Sequence, residues 1–302
     1  MTSYRIRAYI YLIIVSLLWG AATPIIKFTL GGITPLSFLV YRFFISAVLG
    51  IVVLAITKAH IPKPKENLPL IVIYGFVTTT LALGLLFLGL NKTTVLDTVL
   101  ITAVSPLVTA VAGTVFLKET ITKQEKLGIL IAFTGTMFTI LEPVFRGTVD
   151  ISALTGNFLV FGYLIANGFS SVISKKLVRR DVKPFDLSNL SFIVGFLTLL
   201  PLVPFEASFS KVFSNITTLQ IPFHLGVLYM ALFSGTIAYA LWIKGQKSIE
   251  ISEAGVFAYL IPVFSAPLAV FWLGEKITPF FVVGAALITI GVFIAEYKRR
   301  RS

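Results

Sequence analysis

The sequence predicts an all-α membrane protein: ten transmembrane helices in two inverted five-helix repeats, with both termini cytoplasmic. Three observations carry this prediction. Of 302 residues 57% are hydrophobic and 13% charged, whereas a soluble domain has about 25% charged residues. Uninterrupted apolar runs of about 18 residues or more alternate with short gaps that hold the charges, the pattern of spanning helices. The second half of the chain also repeats the first at a nearly fixed offset.

The spans follow from the apolar runs in order. The first, 8–29, follows Arg5 and Arg7, carries Trp19 and continues past Gly20-Ala21-Ala22 to Phe28, so it reads as a span rather than a cleaved leader. The second, 35–57, opens on Pro35 and contains Arg42; the third, 68–90, contains Tyr74. The fourth, 95–117, has Asp97 in its first turn and Ser105-Pro106 at mid-depth. Thr122 and Glu125 form a capping box at the start of the fifth, 123–141. The sixth, 153–174, holds Tyr163 and Asn167; the seventh is 186–205; the eighth, 222–243, carries Tyr229, Tyr239 and Trp242. The ninth, 251–273, has Glu253 near its start, then Tyr259 and Pro262, and Thr278-Pro279 opens the tenth, 279–297, as an N-cap followed by proline at the first helical position. About 20 residues at 1.5 Å each cross a hydrocarbon core of roughly 30 Å.

Basic residues set the orientation, because Lys and Arg concentrate in cytoplasmic loops. With the N-terminus inside, 19 of the 25 fall on the cytoplasmic side; Lys27, Lys92, Arg146, Lys211 and Lys276 fall outside, and Arg42 lies within a span. A missed helix would invert every later loop and scramble that bias. The net charge of +12 therefore has a topological use, and the apolar load argues against a nucleic-acid partner. No cysteine and two histidines leave little for metal or thiol chemistry, so neither cofactor nor metal is expected.

An offset of 156 sets Pro106 on Pro262, Leu117 on Leu273, Glu119 on Glu275, Thr122 on Thr278, Gly128 on Gly284 and Gly135 on Gly291. Earlier an offset of 149 sets Lys27 on Lys176 and Pro35 on Pro184, which places seven extra residues around 206–221. The repeats are 1–148 and 149–302. Five spans each make them cross the membrane in opposite senses, the arrangement that lets one chain open to either side at comparable free energy.

Leu18-Trp19-Gly20 with Lys27, then Pro35 and Arg42, Pro106, and the hairpins at Glu119 and Glu275 occur in an order that resembles the drug/metabolite transporter superfamily, in its EamA-type branch. The resemblance spans the whole chain. It implies ten helices, a duplicated five-helix domain and a central cavity lined by both halves, in a secondary transporter, often an exporter of amino acids or other small metabolites, of the cell membrane.

Candidate working residues are polar or helix-breaking groups within the apolar runs. Pro106 and Pro262 each remove a helix hydrogen bond near the midplane, where discontinuous helices bind substrate; a tolerated kink is the plainer alternative. Trp19, Tyr163, Asn167 and Tyr259 lie deepest and are expected to face the bundle as substrate contacts. Ser105 offers a hydroxyl beside Pro106. Arg42 reads as an anion contact or gating group, with snorkelling to the outer interface or bonding to carbonyls after Pro35 as the favoured structural reading. Lys27 is expected to snorkel likewise, Trp242 and Trp272 to anchor at interfaces, and Glu119 and Glu275 to brace hairpins, with gating as the alternative. An intramembrane enzyme would need an acid/base pair or nucleophile at depth, and the runs show no mid-span carboxylate. Lipid or nucleotide-sugar translocation fits the same architecture. The Gly128/Gly135 spacing reads as internal packing.

Overall fold

The computed structural model describes residues 3–59, 61–145, 150–206, 208–246 and 257–296. Among them there is no strand. The helices are α1 (Ser3–Thr29), α2 (Pro35–Ile56), α3 (Pro64–Lys92), α4 (Val95–Leu117), α5 (Lys123–Phe145), α6 (Ile151–Val178), α7 (Pro184–Phe205), α8 (Phe209–Thr217), α9 (Ile221–Gly245), α10 (Phe257–Phe271) and α11 (Pro279–Glu296). Eight are long and apolar enough to cross a membrane; α10 and α11 are shorter apolar helices. The expected start of the ninth span at 251, with Glu253, lies outside the described residues, as do Arg146 and Lys247.

Several boundaries differ from the sequence reading for local reasons. α3 begins at Pro64, where a proline at the helix start costs no hydrogen bond. α6 runs on to Val178, since Lys175 and Lys176 suit the negative end of the helix dipole. α5 reaches Phe145 and so takes in Glu142, which is fully buried and accepts a 2.6 Å hydrogen bond from the Thr278 hydroxyl. Asp97 and Asp186 are buried too. All three sit near helix ends, so they leave the reading of no mid-span carboxylate unchanged, while Glu142, beyond the expected end of the fifth span at 141, falls inside α5. The 206–221 connection contains α8, whose Phe209 and Phe213 are exposed and whose Val212 is buried.

Two helices depart from α geometry at related places. α3 has a π-helical stretch at Phe76–Ala82 and α9 one at Tyr229–Ile237. α4 breaks at Val104 (φ −84, ψ 4), between Val95–Ala103 and Ser105–Leu117, and the described part of α10 starts with a 3₁₀ turn, Phe257–Tyr259, before Leu260. Both irregular turns sit just ahead of the paired prolines, which cannot donate to the preceding turn.

α1 packs on α9 and α10, α6 packs on α3 and α4, α2 faces α7, α4 faces α10, and α5 faces α11. Exchanging α1 with α6, α2 with α7, α3 with α9, α4 with α10 and α5 with α11 maps this set of contacts onto itself. Tyr9 lies against Phe257 and Phe28 against Trp272, so α1 and α10 run parallel. Lys27, at the end of α1, reaches the end of α3, and Gly89 of that same end meets Gly156 at the start of α6. α6 therefore runs opposite to α1, and the two repeats are inverted relative to each other. The bundle end that carries the start of α1 is called near below, and the opposite end far.

Burial is distributed as a membrane protein requires. Thr136, Thr139, Glu142 and Asn157 are fully buried, whereas Ile51, Leu130, Leu197 and Phe293 face outward, more than half exposed. Such apolar exteriors suit lipid, not water. The tightest helix pair is α5 with α11. A Cβ on Gly128 would meet the Gly291 carbonyl at 2.5 Å, and one on Gly135 the Leu287 Cβ at 2.8 Å. The repeated glycines pack against one another, so the packing read as internal to the fifth span joins the two repeats.

Candidate functional site

A cavity of about 660 Å³ lies at the centre of the bundle, a size that suits a small organic molecule. Its wall comes from α1, α2, α3 and α4 of the first repeat and α6, α7, α9 and α10 of the second. These are repeat-related sets, while α5 and α11 stand outside. Trp19, Arg42, Ser105, Pro106, Tyr163, Asn167, Tyr259 and Pro262 all line it.

The lining is built from irregular helix as much as from regular helix. The Trp19 indole N–H donates to the Ser234 carbonyl at 3.1 Å, inside the π stretch of α9, and the Tyr229 hydroxyl donates to the Leu18 carbonyl at 2.8 Å. A π turn widens the spacing of its carbonyls and leaves one open to such a side-chain donor. Across the cavity the Asn167 amide donates to Ser105 Oγ at 3.1 Å, joining α6 to the break in α4. Tyr259 ends the 3₁₀ turn of α10, which aims it at the same space.

Trp19 is the hub of an aromatic wall. Its ring centroid is 5.4 Å from that of Trp242 and 5.5 Å from that of Tyr239. Trp242, expected at an interface, is a cavity residue: α9 extends to Gly245, and Trp242 sits a turn inside it. Trp272 is half-exposed at the far end, against Phe28. Tyr41 bonds His224 at 3.0 Å away from the cavity. The sequence reading missed the hydroxyls Thr79, Thr102, Ser188 and Ser191 on the wall. Thr78-Thr79-Thr80 in an apolar run and Ser188/Ser191 at helical spacing were the available signals.

Arg42 and Lys27 do not snorkel. Arg42 is 5% exposed, its Nε and Nη1 have no hydrogen-bond partner, and its guanidinium lies 5.3 Å from the Phe43 ring centroid. Neither nitrogen caps the carbonyls after Pro35. Lys27 Nζ instead donates to the carbonyls of Leu90 (2.8 Å) and Thr93 (2.6 Å), satisfying the C-terminal end of α3.

Glu119 and Glu275 lie off the cavity and join the two repeats at opposite ends of the bundle. At the near end Glu119 pairs with Lys175 and, at 3.7 Å, with Arg179 of the second repeat. At the far end Glu275 accepts from the backbone N–H groups of Val95 (2.7 Å) and Leu96 (2.9 Å), capping the first turn of α4. The capping box at Thr122/Glu125 forms as read, and Thr278 caps α11 by accepting from Phe281 N–H at 3.0 Å. Among the described residues no three His, Cys, Asp or Glu side chains group as metal ligands would.

Comparison with known proteins places this geometry in context. The sequence profile of the EamA-like transporter family matches twice, over residues 6–141 and 154–297. An uncharacterized transporter of Bacillus subtilis, YyaM, is 27% identical over 97% of this chain and 94% of its own length. A protein of Salmonella typhimurium named a probable amino-acid metabolite efflux pump is 23% identical over 93% of this chain and 92% of its own. One solved crystal structure superposes with a TM-score of 0.65 at 17% identity, over 95% of this chain and 96% of that one, a likeness of fold.

Proposed function

Because the chain belongs to the EamA-like transporter family and is a multi-pass membrane protein, we propose that it is a secondary transporter, an exporter of small metabolites such as amino acids, working by alternating access around the central cavity. Ten spans, two repeats bounded at 1–148 and 149–302, and both termini in the cytoplasm of a cell-membrane protein complete the reading. The observation that carries it is the symmetry of the cavity wall: four helices from each of two inverted repeats surround one site. An inverted pair can trade conformations, which opens the same site to the other side without rebuilding it. The paired breaks before Pro106 and Pro262 are the joints at which α4 and α10 bend during that exchange. Trp19, Tyr163, Asn167 and Tyr259 contact the substrate, Ser105 positions Asn167, and the Glu119 and Glu275 bridges hold the two ends. The amino-acid class follows the name of the Salmonella relative.

The test is counterflow in proteoliposomes preloaded with amino acids and related metabolites. Saturable tracer exchange, lost in Trp19→Ala, is the expected result. Absence of exchange with every candidate, in folded and oriented protein, would remove the metabolite reading.

A further inference from the structure

The cavity holds one formal charge among its described lining residues, and that charge is buried without a matching anion. Resting on the transport reading above, we propose that the cargo is a small organic monoanion, a carboxylate carried on an aromatic or apolar body, bound through Arg42 and expelled by the membrane potential.

Burying the arginine is costly. A guanidinium that is 5% exposed with Nε and Nη1 unpartnered has lost water and gained no acceptor. Such a group is destabilising unless something supplies the acceptor. Each of the two unpartnered nitrogens shares a two-donor edge of the fork with Nη2, and such an edge matches the two oxygens of a carboxylate once the side chain turns toward the cavity. A dianion would need a second cation. Lys27, the nearest candidate in the sequence, is occupied by the α3 carbonyls.

The body of the ligand is set by what adjoins Arg42. The Phe43 and Phe87 ring centroids lie 5.3 and 6.0 Å from its guanidinium. Phe43 leads to Phe192 at 6.1 Å, Phe192 to Tyr239 at 6.4 Å, and Tyr239 to Trp19 at 5.5 Å. Of these rings Phe87, Phe192, Tyr239 and Trp19 line the cavity, while Phe43 is fully buried behind them. A flat apolar body attached to a carboxylate can lie along the cavity-lining rings, and a volume of 660 Å³ accommodates it together with water.

Charge selection also provides a driving force. Moving one negative charge outward down an inside-negative potential of 100 mV supports about a 50-fold gradient. An anion exporter built this way works as a uniporter, with no coupling ion.

Three probes of nearly one shape separate the possibilities: phenyllactate (anion), phenylalanine (zwitterion) and phenyllactamide (neutral). Binding is read from tryptophan fluorescence of the purified full chain carrying Trp272→Phe, which leaves Trp19 and Trp242, both on the cavity wall, as reporters. Flux is read in proteoliposomes under a potassium–valinomycin potential. Expected is binding of phenyllactate about ten- to hundredfold tighter than that of the other two, efflux accelerated by an inside-negative potential, loss of the preference in Arg42→Gln and its partial retention in Arg42→Lys. Equal or tighter binding of phenylalanine, or flux indifferent to potential, overturns the anion assignment and leaves transport standing. Binding of phenyllactate without flux of any probe or amino acid keeps the assignment and removes the transport reading. If Arg42→Gln fails to fold, the ranking of the three probes on the chain with intact Arg42 still decides.

Discussion

The Glu275 carboxylate bridges the repeats at the far end, and its removal gives the most direct measure of what holds that end together. Its oxygens accept from two backbone N–H groups at 2.7 and 2.9 Å, at the positive end of α4. Hydrogen bonds to a charged group contribute about 1.5–3 kcal/mol each, and a carboxylate at a helix N-terminus adds about 0.3–1 kcal/mol. The carboxylate is part-exposed, and solvent screening brings the sum to about 2–3 kcal/mol, or roughly a 30- to 150-fold shift between far-closed and far-open states. The chain has no cysteine, so a single Thr98→Cys on the far part of the cavity wall gives a reporter without background. In Glu275→Ala its modification rate by a polar thiol reagent should rise by that factor until the open state dominates. A Ser171→Cys reporter on the near part should slow or stay constant. A rise at Thr98 below about threefold, in protein that remains folded, would refute the idea that this cap holds the far end.

Three further outcomes follow from the packing. Gly291→Val should force α5 and α11 apart, because a Cβ there meets the Gly128 carbonyl at 2.6 Å; a loss of about 1–3 kcal/mol or more should show as reduced folded yield, while Gly84→Ala, whose Cβ meets nothing within 4 Å, should be neutral. Lys27→Ala leaves the Leu90 and Thr93 carbonyls without their donor, and at about 1–3 kcal/mol should lower the thermal midpoint by several degrees in a detergent melt. Pro106→Ala and Pro262→Ala restore a backbone donor at each break; counterflow should slow while probe binding changes little, and a proportional loss of binding would show the prolines to be packing elements instead.

What could be read from the chain and what could not divide along physical lines. Apolar run length located the long helices to within a few residues, because hydrocarbon thickness fixes the length of a span. Six of the eight cavity residues were reached from depth and polarity, since a hydroxyl, amide, guanidinium or indole N–H within lipid must face protein, and Pro106 and Pro262 from their pairing across the repeat and their missing backbone donor. Trp242 escaped because one or two turns at a helix end decide between interface and cavity. Arg42 and Lys27 received the same reading, yet one is enclosed by Phe43 and Phe87 while the other reaches a helix terminus. Only tertiary neighbours distinguish them. The π stretches left no trace in composition, because a π turn has the same residues as an α turn and differs in how many it holds.

That last property carries information about history. A π turn is what remains when one residue is inserted into an α-helix that is otherwise held in place. The stretch at 76–82, moved by 156, falls on 232–238 and overlaps the one at 229–237 along most of its length. One insertion in a single five-helix ancestor, copied when the gene doubled, accounts for both by the fewest events. The wide turns facing the cavity are then older than the duplication, so the widened wall preceded the single chain that now encloses it.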